Sequence, residues 1–497
     1  MSQPENTAAK TVTTVRQTFN KGTTKDLNHR KTALTNLVNF FKDHEQAIID
    51  SIFADSRRHK EEARFELFTA VGHFRHVVDN FATWAKPEKA SKRLVDFFDG
   101  LWVYNEPYGV VLLMTCWNMP ILTLIPIAGA IAAGNCVVVK PSHNGPNFGR
   151  LLATVLPKYL DPECYPVFWG KHDDVGELLE QRFDYIYFTG SPSVGRIIHR
   201  AANRHLTPTT LQLGGKNPVF IDSSADLEQA AARIIWGKCL NSGQVCSAPD
   251  YVLCSKLVRE GFIKHAKLAI RRFFPDSEYC PIVNHHHFHR LSKFLQGLDV
   301  EVGGGVDNSD LTIQPTIAIN VSPDHPIMEE EIFGPILPIV TIDNMEEAVD
   351  FINKREKPLV VYVFAKETSV KDFFIDKTSS GAVTINDTLV HVITKSLPFG
   401  GVGSSGMGRY KGKYVTETFV NKKSVLDKNT SRLLENFNEL RYPPLTRRKN
   451  DLARFFLDYR WGPSSSSILH TTIFVLGLGA GFVLFYIAFV LNPRFYQ

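Results

Sequence analysis

The chain has 497 residues with a formal net charge of +5, and 44% of its residues are hydrophobic while 22% are charged. This length exceeds what one simple hydrophobic core supports, so two or more domains of ordinary globular composition are expected. The small positive charge and the absence of a nucleic-acid-binding motif argue against DNA or RNA as a partner.

The N-terminal segment is predicted to be helical. The opening sequence MSQPENTAAKTVTTVRQTF has no apolar core of the kind that a secretory signal requires. Between residues 11 and 95, apolar side chains recur at helical spacing, most clearly in LNHRKTALTNLVNFFKDHEQAIIDSIFADS and ARFELFTAVGHFRHVVDNFATWA.

From Tyr108 onward, strand-like runs alternate with helical stretches. The predicted strands are apolar, β-branched or aromatic, as suits strands buried on both faces: GVVLLMTCW, NCVVVKPS, YPVFWG, DYIYFTG and NPVFID. The intervening PILTLIPIAGAIAAG and PNFGRLLATVLPKYL suit crossover helices, and the alternation predicts a doubly wound parallel sheet. A second α/β stretch runs from about residue 222 to residue 393, with PLVVYVFAK and GAVTIND as buried strands.

The stretch MTCWNMP places Asn118 at the carboxyl end of a predicted strand, where ligands bind in open α/β sheets. Its side-chain amide is suited to donate to a developing oxyanion. The alternative is structural, because asparagine ahead of MPILTLI is also a good helix N-cap.

Two glycine-containing turns follow. In FTGSPSVG, residues Gly190, Ser191 and Gly195 permit close backbone approach where a strand ends and a helix begins, and a helix N-terminus favours a phosphate. In LQLGGKNP, a glycine pair follows a short strand and is compatible with a simple tight turn.

The stretch NSGQVCSAP surrounds Cys246 with small and polar residues rather than bulky apolar ones. A nucleophilic cysteine there would need a lowered pKa or a nearby base, whereas an inert thiol needs neither. The 7 cysteines of the chain are scattered without a CxxC pair, which favours reduced thiols in an intracellular compartment.

A histidine cluster, NHHHFHR, contains His285, His286, His287 and His289. No cysteines or carboxylates flank it at the spacing of metal ligands, so no metal site is predicted.

The C-terminal stretch of residues 468–491, ILHTTIFVLGLGAGFVLFYIAFVL, is apolar beyond its first few residues and long enough to cross a bilayer. The preceding segment is rich in arginine and lysine, and such charge beside a span marks the cytosolic side. This pattern predicts a C-terminal transmembrane anchor with the bulk of the chain in the cytosol, and a buried soluble helix is the alternative.

Taken together and in this order, these motifs resemble the aldehyde dehydrogenase superfamily over roughly residues 11–427. The stretches VVVKPS, EEEIFGPILPI and SLPFGGVGSSGMG strengthen the resemblance. GAVTINDTLVH, PLVVYVFAKE and GQVCSAPDYVL are similar to the class 3, fatty-aldehyde branch. The resemblance implies an α/β fold with a Rossmann-like coenzyme domain, an α/β catalytic domain and small oligomerisation strands.

The resemblance also implies a division of the chain. The N-terminal helices and the coenzyme-binding domain are expected over residues 1–211, and the catalytic domain over residues 212–395. A C-terminal loop and oligomerisation segment is expected over residues 396–427, a basic linker over residues 428–467 and the transmembrane anchor over residues 468–491. In this branch a homodimer is expected.

In the mechanism that the resemblance implies, the Cys246 thiolate attacks an aldehyde, and the Asn118 amide with the backbone N–H of Cys246 holds the oxyanion. A thioester forms and is hydrolysed by water. NAD or NADP is the expected cofactor, with these binding residues: Lys140, Ser142, Gly190, Ser191, Gly195, Glu331 and Phe333.

Three positions depart from the family pattern. Gln212 stands where the family normally has a glutamate general base, and Glu331 is the obvious substitute. His143 replaces a glutamate that would repel a 2′-phosphate, so NADP is expected to be tolerated. Met119 replaces an aromatic residue but still suits an apolar tunnel.

The function expected from these observations is oxidation of a long-chain aldehyde, fatty or isoprenoid (apocarotenoid), by a membrane-anchored enzyme. Two alternatives remain: a catalytically impaired scaffold or binding protein, because the usual base is missing at Gln212, and a thioesterase or esterase that uses Cys246 without hydride transfer. The endoplasmic reticulum is the expected membrane, with the outer mitochondrial and peroxisomal membranes as alternatives.

Overall fold

A computed structural model describes residues 7–170, 174–276 and 278–458 of the chain. Within these residues the α-helices are, in chain order, α1 Ala8–Asn20, α2 Leu27–Asp43, α3 Glu45–Ser56, α4 Lys60–Trp84, α5 Ile125–Ala133, α6 Pro146–Val155, α7 Asp174–Glu180, α8 Pro192–Asn203, α9 Leu227–Cys239, α10 Lys256–Phe273, α11 His285–Phe294, α12 Met345–Asn353, α13 Thr368–Lys377, α14 Val390–Ile393, α15 Tyr414–Glu417, α16 Arg432–Asn438 and α17 Arg447–Asp458. Helices α1 to α4 confirm the predicted helical character of the N-terminal segment.

The β-strands of the described residues are short. In chain order they are β1 Glu88–Lys89, β2 Gly100–Pro107, β3 Val110–Met114, β4 Cys136–Lys140, β5 Tyr185–Gly190, β6 Thr209–Leu213, β7 Pro218–Ile221, β8 Tyr251–Cys254, β9 Asp299–Val302, β10 Val306–Asp307, β11 Thr312–Ile313, β12 Thr316–Ile319, β13 Ile336–Thr341, β14 Val360–Phe364, β15 Ala382–Ile385, β16 Gly406–Met407 and β17 Val420–Asp427.

The chain divides into two compact units. The larger unit contains the described residues up to 86 and residues 105–422, and the smaller one contains residues 87–104 and the described residues from 423 onward. The larger unit holds both parallel sheets and every residue that the sequence marks as a candidate for the site.

The first sheet of the larger unit has the strand order β16-β6-β5-β3-β4, and every pairing is parallel except that of β16 with β6. All five residues of β3 and of β4 are buried, because helices including α1 and α5 pack against these strands. This arrangement confirms the predicted parallel sheet and its continuous apolar strands.

Two of the strands predicted for this sheet differ in the structure: NPVFID forms β7 of the second sheet, and YPVFWG does not form a strand. YPVFWG, residues 165–170, forms only an isolated bridge between Val167 and Val139 instead of a strand. The segment does run beside β4, since the amide of Val139 donates to the carbonyl of Pro166 over 2.9 Å. Proline has no amide hydrogen and interrupts the ladder that a full strand would form.

The second sheet has the order β15-β14-β7-β8-β13-β12-β9, parallel except where β9 meets β12. Its central strands β7, β8 and β14 are buried throughout. Apolar side chains of helices α9, α10, α12 and α13 belong to the same hydrophobic clusters as the side chains of these strands. The predicted second α/β stretch is confirmed.

In the smaller unit, the sheet order is β1-β2-β17, and β1 pairs antiparallel with β2. The buried carboxylate of Asp99 accepts from the ammonium of Lys428 over 2.6 Å and from the amide of Asn429 over 3.0 Å. These bonds tie the segment that follows β17 to the turn before β2.

No helix among residues 7–170, 174–276 and 278–458 is both long enough and apolar enough to cross a membrane. The predicted anchor, residues 468–491, lies outside the described residues.

Candidate active site

Cys246 lies on the loop between α9 and β8, and a tight turn at Leu240–Gly243 sets the direction of that loop. Asn241, Ser242 and Gly243 have φ angles of 50°, 51° and 72°, all in the left-handed region. A side chain on Gly243 would collide with the carbonyl of Gly334, so only glycine fits there. Backbone held in this unfavourable region is typical of functional loops and is maintained by the packing around it.

Asn217 anchors the Cys246 loop to the second sheet. It precedes β7 and is fully buried, and its amide nitrogen donates to the carbonyls of Cys246 over 2.8 Å and Ala248 over 3.0 Å. Its side-chain oxygen accepts from the amide of Val360 in β14 over 3.1 Å. Tyr362, also in β14, donates to the carbonyl of Ser247 over 2.6 Å. The backbone of the Cys246 loop is therefore held by Asn217, directly before β7, and by Tyr362 of the neighbouring strand β14.

Gln212 in β6 lies directly beside the thiol. Its Nε2 is 3.7 Å and its Oε1 4.0 Å from Cys246 Sγ. The structure thus brings together Cys246 and the position where the family's base was expected. A glutamine there can donate to or accept from a neighbour, but it cannot take a proton at neutral pH.

Asn118 approaches the same loop from the other sheet. Its Nδ2 donates to the carbonyl of Gln244 over 2.9 Å, and it lines one cavity together with Cys246. The alternative interpretation as a helix N-cap is wrong, because the helical turn starts at Leu122 without a side-chain cap from Asn118. Glu66 of α4 takes that capping role and accepts from the amides of Ile121 and Leu122 over 2.7 and 2.9 Å.

The cavity that contains these groups encloses about 860 Å³, including open solvent at its mouth. Most of its wall is apolar, and Met119 contributes to it, as expected from the sequence. Phe65 of α4 also lines the cavity, and its side chain is about half exposed. A cavity whose accessible wall is mostly apolar suits an apolar ligand rather than a small polar one.

Glu331 packs its carboxylate onto the glycine pair of LQLGGKNP. A side chain on Gly214 would collide with that carboxylate, and the amide of Gly215 donates to it. The glycine pair therefore does more than form a tight turn, because it makes room for Glu331. Burial first, and then the carboxylate of Asp250, raise the pKa of Glu331 to about 8.

The thiol of Cys246 is difficult to ionise in the free protein. Burial, followed by the charge of Glu331, raises the pKa of Cys246 to about 12. The hydrogen bond from Gln212 and the positive charge of Lys411 act in the opposite direction. A nucleophilic Cys246 therefore depends on a neighbour that stabilises its thiolate.

The residues expected to bind the coenzyme lie at the carboxyl ends of the first sheet's strands. Lys140 ends β4, where its Nζ donates to the carbonyl of Pro141 over 2.8 Å and lies 3.1 Å from Nε2 of His143. Ser142 follows, and its hydroxyl accepts from the amide of Asn144 over 3.3 Å. Strands β3, β4 and β5 are parallel, so these residues share an edge with Gly190.

The turn after β5 has the predicted form. Ser191 caps α8 and accepts from the amide of Val194 over 3.4 Å. A side chain on Gly195 would lie 2.7 Å from Leu213 Cδ2, so glycine allows helix and strand to approach closely. Phe333 has a φ of 51°, and its ring meets that of Trp117 edge-on at 6.0 Å.

Five ionisable residues that line the described cavity were not predicted from the sequence: Glu62, Glu66, Cys116, Tyr410 and Lys411. Burial raises the pKa of Cys116 to about 11 and also raises that of Glu62. Cys116 lies within the quoted stretch MTCWNMP, but nothing in the pattern distinguishes its side chain from a structural thiol. Asn217 was also missed, although a polar residue directly before a buried strand was a signal that could have found it.

The histidine cluster forms the start of the surface helix α11, capped by Asn284. In the part of the chain that the structure describes, no group of three or more histidine, cysteine, aspartate or glutamate side chains is placed to hold a metal ion.

Comparison with known proteins places these features in context. Residues 2–425 match the model of the aldehyde dehydrogenase family. The chain is 43% identical over 441 residues to aldehyde dehydrogenase family 3 member B1 of Rattus norvegicus, covering 87% of this chain and 94% of that protein. It is also 43% identical over 450 residues to family 3 member A2 of the same organism, covering 89% and 93%.

Two solved structures are similar in three dimensions. The substrate-bound state of Staphylococcus aureus AldH has a TM-score of 0.86 and 35% identity, covering 91% of this chain and 100% of that one. A point mutant of betaine aldehyde dehydrogenase from the same bacterium, in complex with NAD+, has a TM-score of 0.78 and 25% identity, covering 86% and 90%.

Proposed function

The chain belongs to the aldehyde dehydrogenase family and is an aldehyde dehydrogenase, and on that premise we propose that it oxidises a long-chain aldehyde, fatty or isoprenoid, to the carboxylic acid. The observation that most supports this substrate class is the cavity of about 860 Å³, mostly apolar, that leads to Cys246 and Gln212. The Cys246 thiolate forms the new C–S bond with the aldehyde carbon, and the product leaves as the acid after hydrolysis of a thioester.

NAD or NADP is the coenzyme, and the residues present fit it. The N-terminus of α8 opens at the carboxyl edge of the parallel sheet with Ser191, and Gly195 lets the helix approach closely, as a pyrophosphate site requires. Lys140 is buried at the same edge and would hold the adenosine ribose, while Phe333 would face the nicotinamide. The chemistry supplied when the coenzyme is bound is acceptance of hydride.

Asn118 is placed to stabilise the oxyanion that forms when Cys246 attacks. Its amide nitrogen currently bonds the carbonyl of Gln244, two residues from the nucleophile, over 2.9 Å. A small rotation of the side chain exchanges this carbonyl for the substrate oxygen. The donor then acts in a water-poor cavity, where one such hydrogen bond is worth about 10²–10³ in rate.

Hydrolysis of the thioester needs a base, and Gln212 cannot serve as one. Glu331 is the proposed base, because its carboxylate lies on Gly214 beside Gln212 and its charge is felt at Cys246. With a pKa raised to about 8, chiefly by burial, Glu331 is mostly protonated at pH 7, and its carboxylate, which is the base, becomes the main form above about pH 8.

The first test is stopped-flow formation of NAD(P)H with hexadecanal. We expect a burst close to one equivalent per site in the wild type and none in Cys246→Ser, because only the thiolate forms the hydride-donating adduct. Absence of NAD(P)H formation with either coenzyme, both as a burst and in steady turnover, would refute the proposal and favour the scaffold alternative. Ester hydrolysis that needs no coenzyme, without aldehyde oxidation, would instead indicate the esterase alternative.

His143 is proposed to let the enzyme accept NADP. Its ring nitrogen lies 3.1 Å from Lys140 Nζ, at the expected ribose position, with no negative charge to repel a 2′-phosphate. His143→Glu is expected to raise the KM for NADP about tenfold, a cost of about 1.4 kcal/mol for the like-charge contact, while changing that for NAD little. His143→Gln is the neutral control, and an unchanged NADP/NAD ratio in His143→Glu would contradict the proposal.

The apolar residues 468–491 are proposed to anchor the enzyme in a membrane, the endoplasmic reticulum first, with the catalytic body in the cytosol as part of a homodimer. Length, apolar composition and basic flank support the anchor. Alkaline carbonate extraction tests it: the full chain is expected to stay with the membranes, and a chain ending at residue 467 is expected to be released. Release of the full chain would contradict the anchor.

A further inference from the structure

Lys411 places a buried amine in the same cavity as Cys246. Its side chain is 1% exposed, and its Nζ donates to the carbonyl of Val392. The rings of Phe399 and Tyr410 lie 4.9 and 5.9 Å from the Nζ. Within the described ranges, no carboxylate forms an ion pair with it. Burying a lysine without a carboxylate is costly, so its presence at the nucleophile calls for a chemical reason.

The backbone holds this lysine in an unusual conformation. Lys411 has a φ of 84°, which side chains other than glycine rarely adopt. Glycines on either side make the path possible, since a side chain on Gly408 would collide with Thr210 and one on Gly412 with the carbonyl of Lys395. Phe399 and Tyr410 exchange two backbone hydrogen bonds of 2.7 and 2.8 Å just before Lys411. A lysine with this unfavourable φ is maintained by the packing around it, and that packing fixes where its amine lies.

The loop that carries Lys411 follows β16, and β16 pairs with β6, the strand that carries Gln212. In β16, Gly406 pairs with Gln212, whose side chain approaches Cys246 Sγ. The pairing of β16 with β6 therefore limits where Lys411 lies relative to Cys246.

Lys411 is the one positively charged residue that lines the described cavity. The charged residues that line the described cavity are Glu62, Glu66 and Lys411, and Glu66 is paired with the buried Arg58. Lys411 lowers the pKa of Cys246 by its charge, against burial and Glu331. Burial in turn lowers the pKa of Lys411 to about 7, so the positive charge that Lys411 supplies is lost as the pH rises through that value.

We propose that Lys411, in its protonated form, is the counter-ion of the Cys246 thiolate. The S–H bond of Cys246 breaks with its electron pair left on sulfur, the proton passes to solvent, and the ammonium of Lys411 stabilises the negative charge within the cavity that both residues line. This inference rests on the proposed function only in that Cys246 is the nucleophile of that reaction.

The other titratable groups that face Lys411 add no charge of their own near neutral pH. His73 of α4 and His391 of α14 have pKa values lowered to about 3, by burial first and then by Lys411, and stay neutral above about pH 5. Burial raises the pKa of Tyr410 well above the ordinary value, so its phenol stays protonated. Lys395, which acts on His73, is exposed and outside the cavity lining.

Glu331 and Cys116 also act on the thiol, and both raise the pKa of Cys246. Glu331 changes its charge at about pH 8, within the working range of an alkylation assay. The experiment therefore includes a Glu331→Gln background, which removes this titration, and identifies the alkylated cysteine directly.

The test is the rate of iodoacetamide alkylation of Cys246 between pH 5 and 10 in the full chain, with the modified peptide measured by mass spectrometry. Lys411→Met is expected to slow alkylation at pH 7 about tenfold or more, since one unit in pKa changes the thiolate fraction tenfold. Lys411→Arg keeps a cation that does not titrate and is expected to retain a reactive thiolate at low pH. Lys395→Met, a lysine substitution on the same segment, is expected to leave the profile unchanged.

A Lys411→Met profile equal to the wild type, in both backgrounds, would overturn the proposal. So would a Lys411→Arg variant that is less reactive than the wild type at low pH, and this comparison with the wild type decides the matter if Lys411→Met does not fold. Alkylation needs no aldehyde oxidation, so the two proposals fail separately. A wild-type burst with an unchanged Lys411→Met profile refutes only the role of Lys411, and a Lys411-dependent profile without any NAD(P)H formation refutes only the proposed function.

Discussion

Glu331→Gln is expected to form NAD(P)H in a first-turnover burst and then to turn over about 10²–10⁴-fold more slowly than the wild type. The reason is that acylation uses Cys246, whereas hydrolysis of the thioester needs a proton acceptor that the Gln212 amide cannot provide. Steady-state and burst amplitudes with hexadecanal separate the two steps. Glu330→Gln is the matched control, because Glu330 is exposed and pairs with Arg290 over 3.2 Å outside the cavity lining.

The pH dependence gives this prediction a second readout. The base form of Glu331 is present above its pKa of about 8 and is lost as the pH falls through that value. The steady rate of the wild type is therefore expected to rise with pH through about 8, and Glu331→Gln should lose this rise. A steady rate unchanged in Glu331→Gln would rule out Glu331 as the base. A Gln212→Glu variant that speeds steady turnover would show that hydrolysis limits the natural enzyme.

Arg58→Met is expected to lower the free energy of unfolding by about 3–5 kcal/mol. Arg58 and Glu66 form an ion pair whose side chains are 1% and 2% exposed, so removing the arginine leaves a buried carboxylate without its partner. Arg58 also donates to the carbonyl of Asn118 over 2.9 Å, so Asn118 loses part of its support. Urea unfolding measures the first effect, and the burst rate with hexadecanal measures the second.

Arg57→Met is the matched control, since Arg57 pairs with Asp310 at the surface and both side chains are about half exposed. Its effect is expected to stay within about 1 kcal/mol, because water screens such pairs. An Arg58→Met, Glu66→Gln double variant should recover part of the lost stability, because it removes both buried charges and keeps an acceptor for the amides of Ile121 and Leu122. Equal effects of the Arg57 and Arg58 substitutions would contradict the assignment of Arg58–Glu66 as a structural pair.

Much of the fold followed from local pattern. Apolar runs such as VVLLM and CVVVK became strands buried on both faces, because a parallel sheet covered by helices requires continuous apolar residues. The failure at residues 165–170 has a local cause, since Pro166 removes one donor from an otherwise strand-like run. Composition alone did not reveal that interruption.

The candidate site was predicted in part. Cys246, Gln212 and Asn118 belong to motifs whose order along the chain resembles a family, and the structure brings all three to one cavity. Asn118 alone was ambiguous, because the side chain that caps the following turn is Glu66, about fifty residues earlier in the chain. No local pattern reports which of two residues far apart in sequence takes a capping role.

The sequence by itself determined the α/β architecture, because strand periodicity is a local property of the chain. The roles expected of Cys246, of Gln212 and of the turn at Gly190 and Ser191 came from the resemblance of the motifs to a family. Only the tertiary structure decided what surrounds the thiol. Asn217 donates to the carbonyl of Cys246, and Lys411 lines the same cavity as Cys246, although both lie far from it along the chain. Burial raises the pKa values of Glu331 and Cys246 and lowers that of Lys411, since the cost of charging a group depends on its solvent exposure and on its neighbours in space.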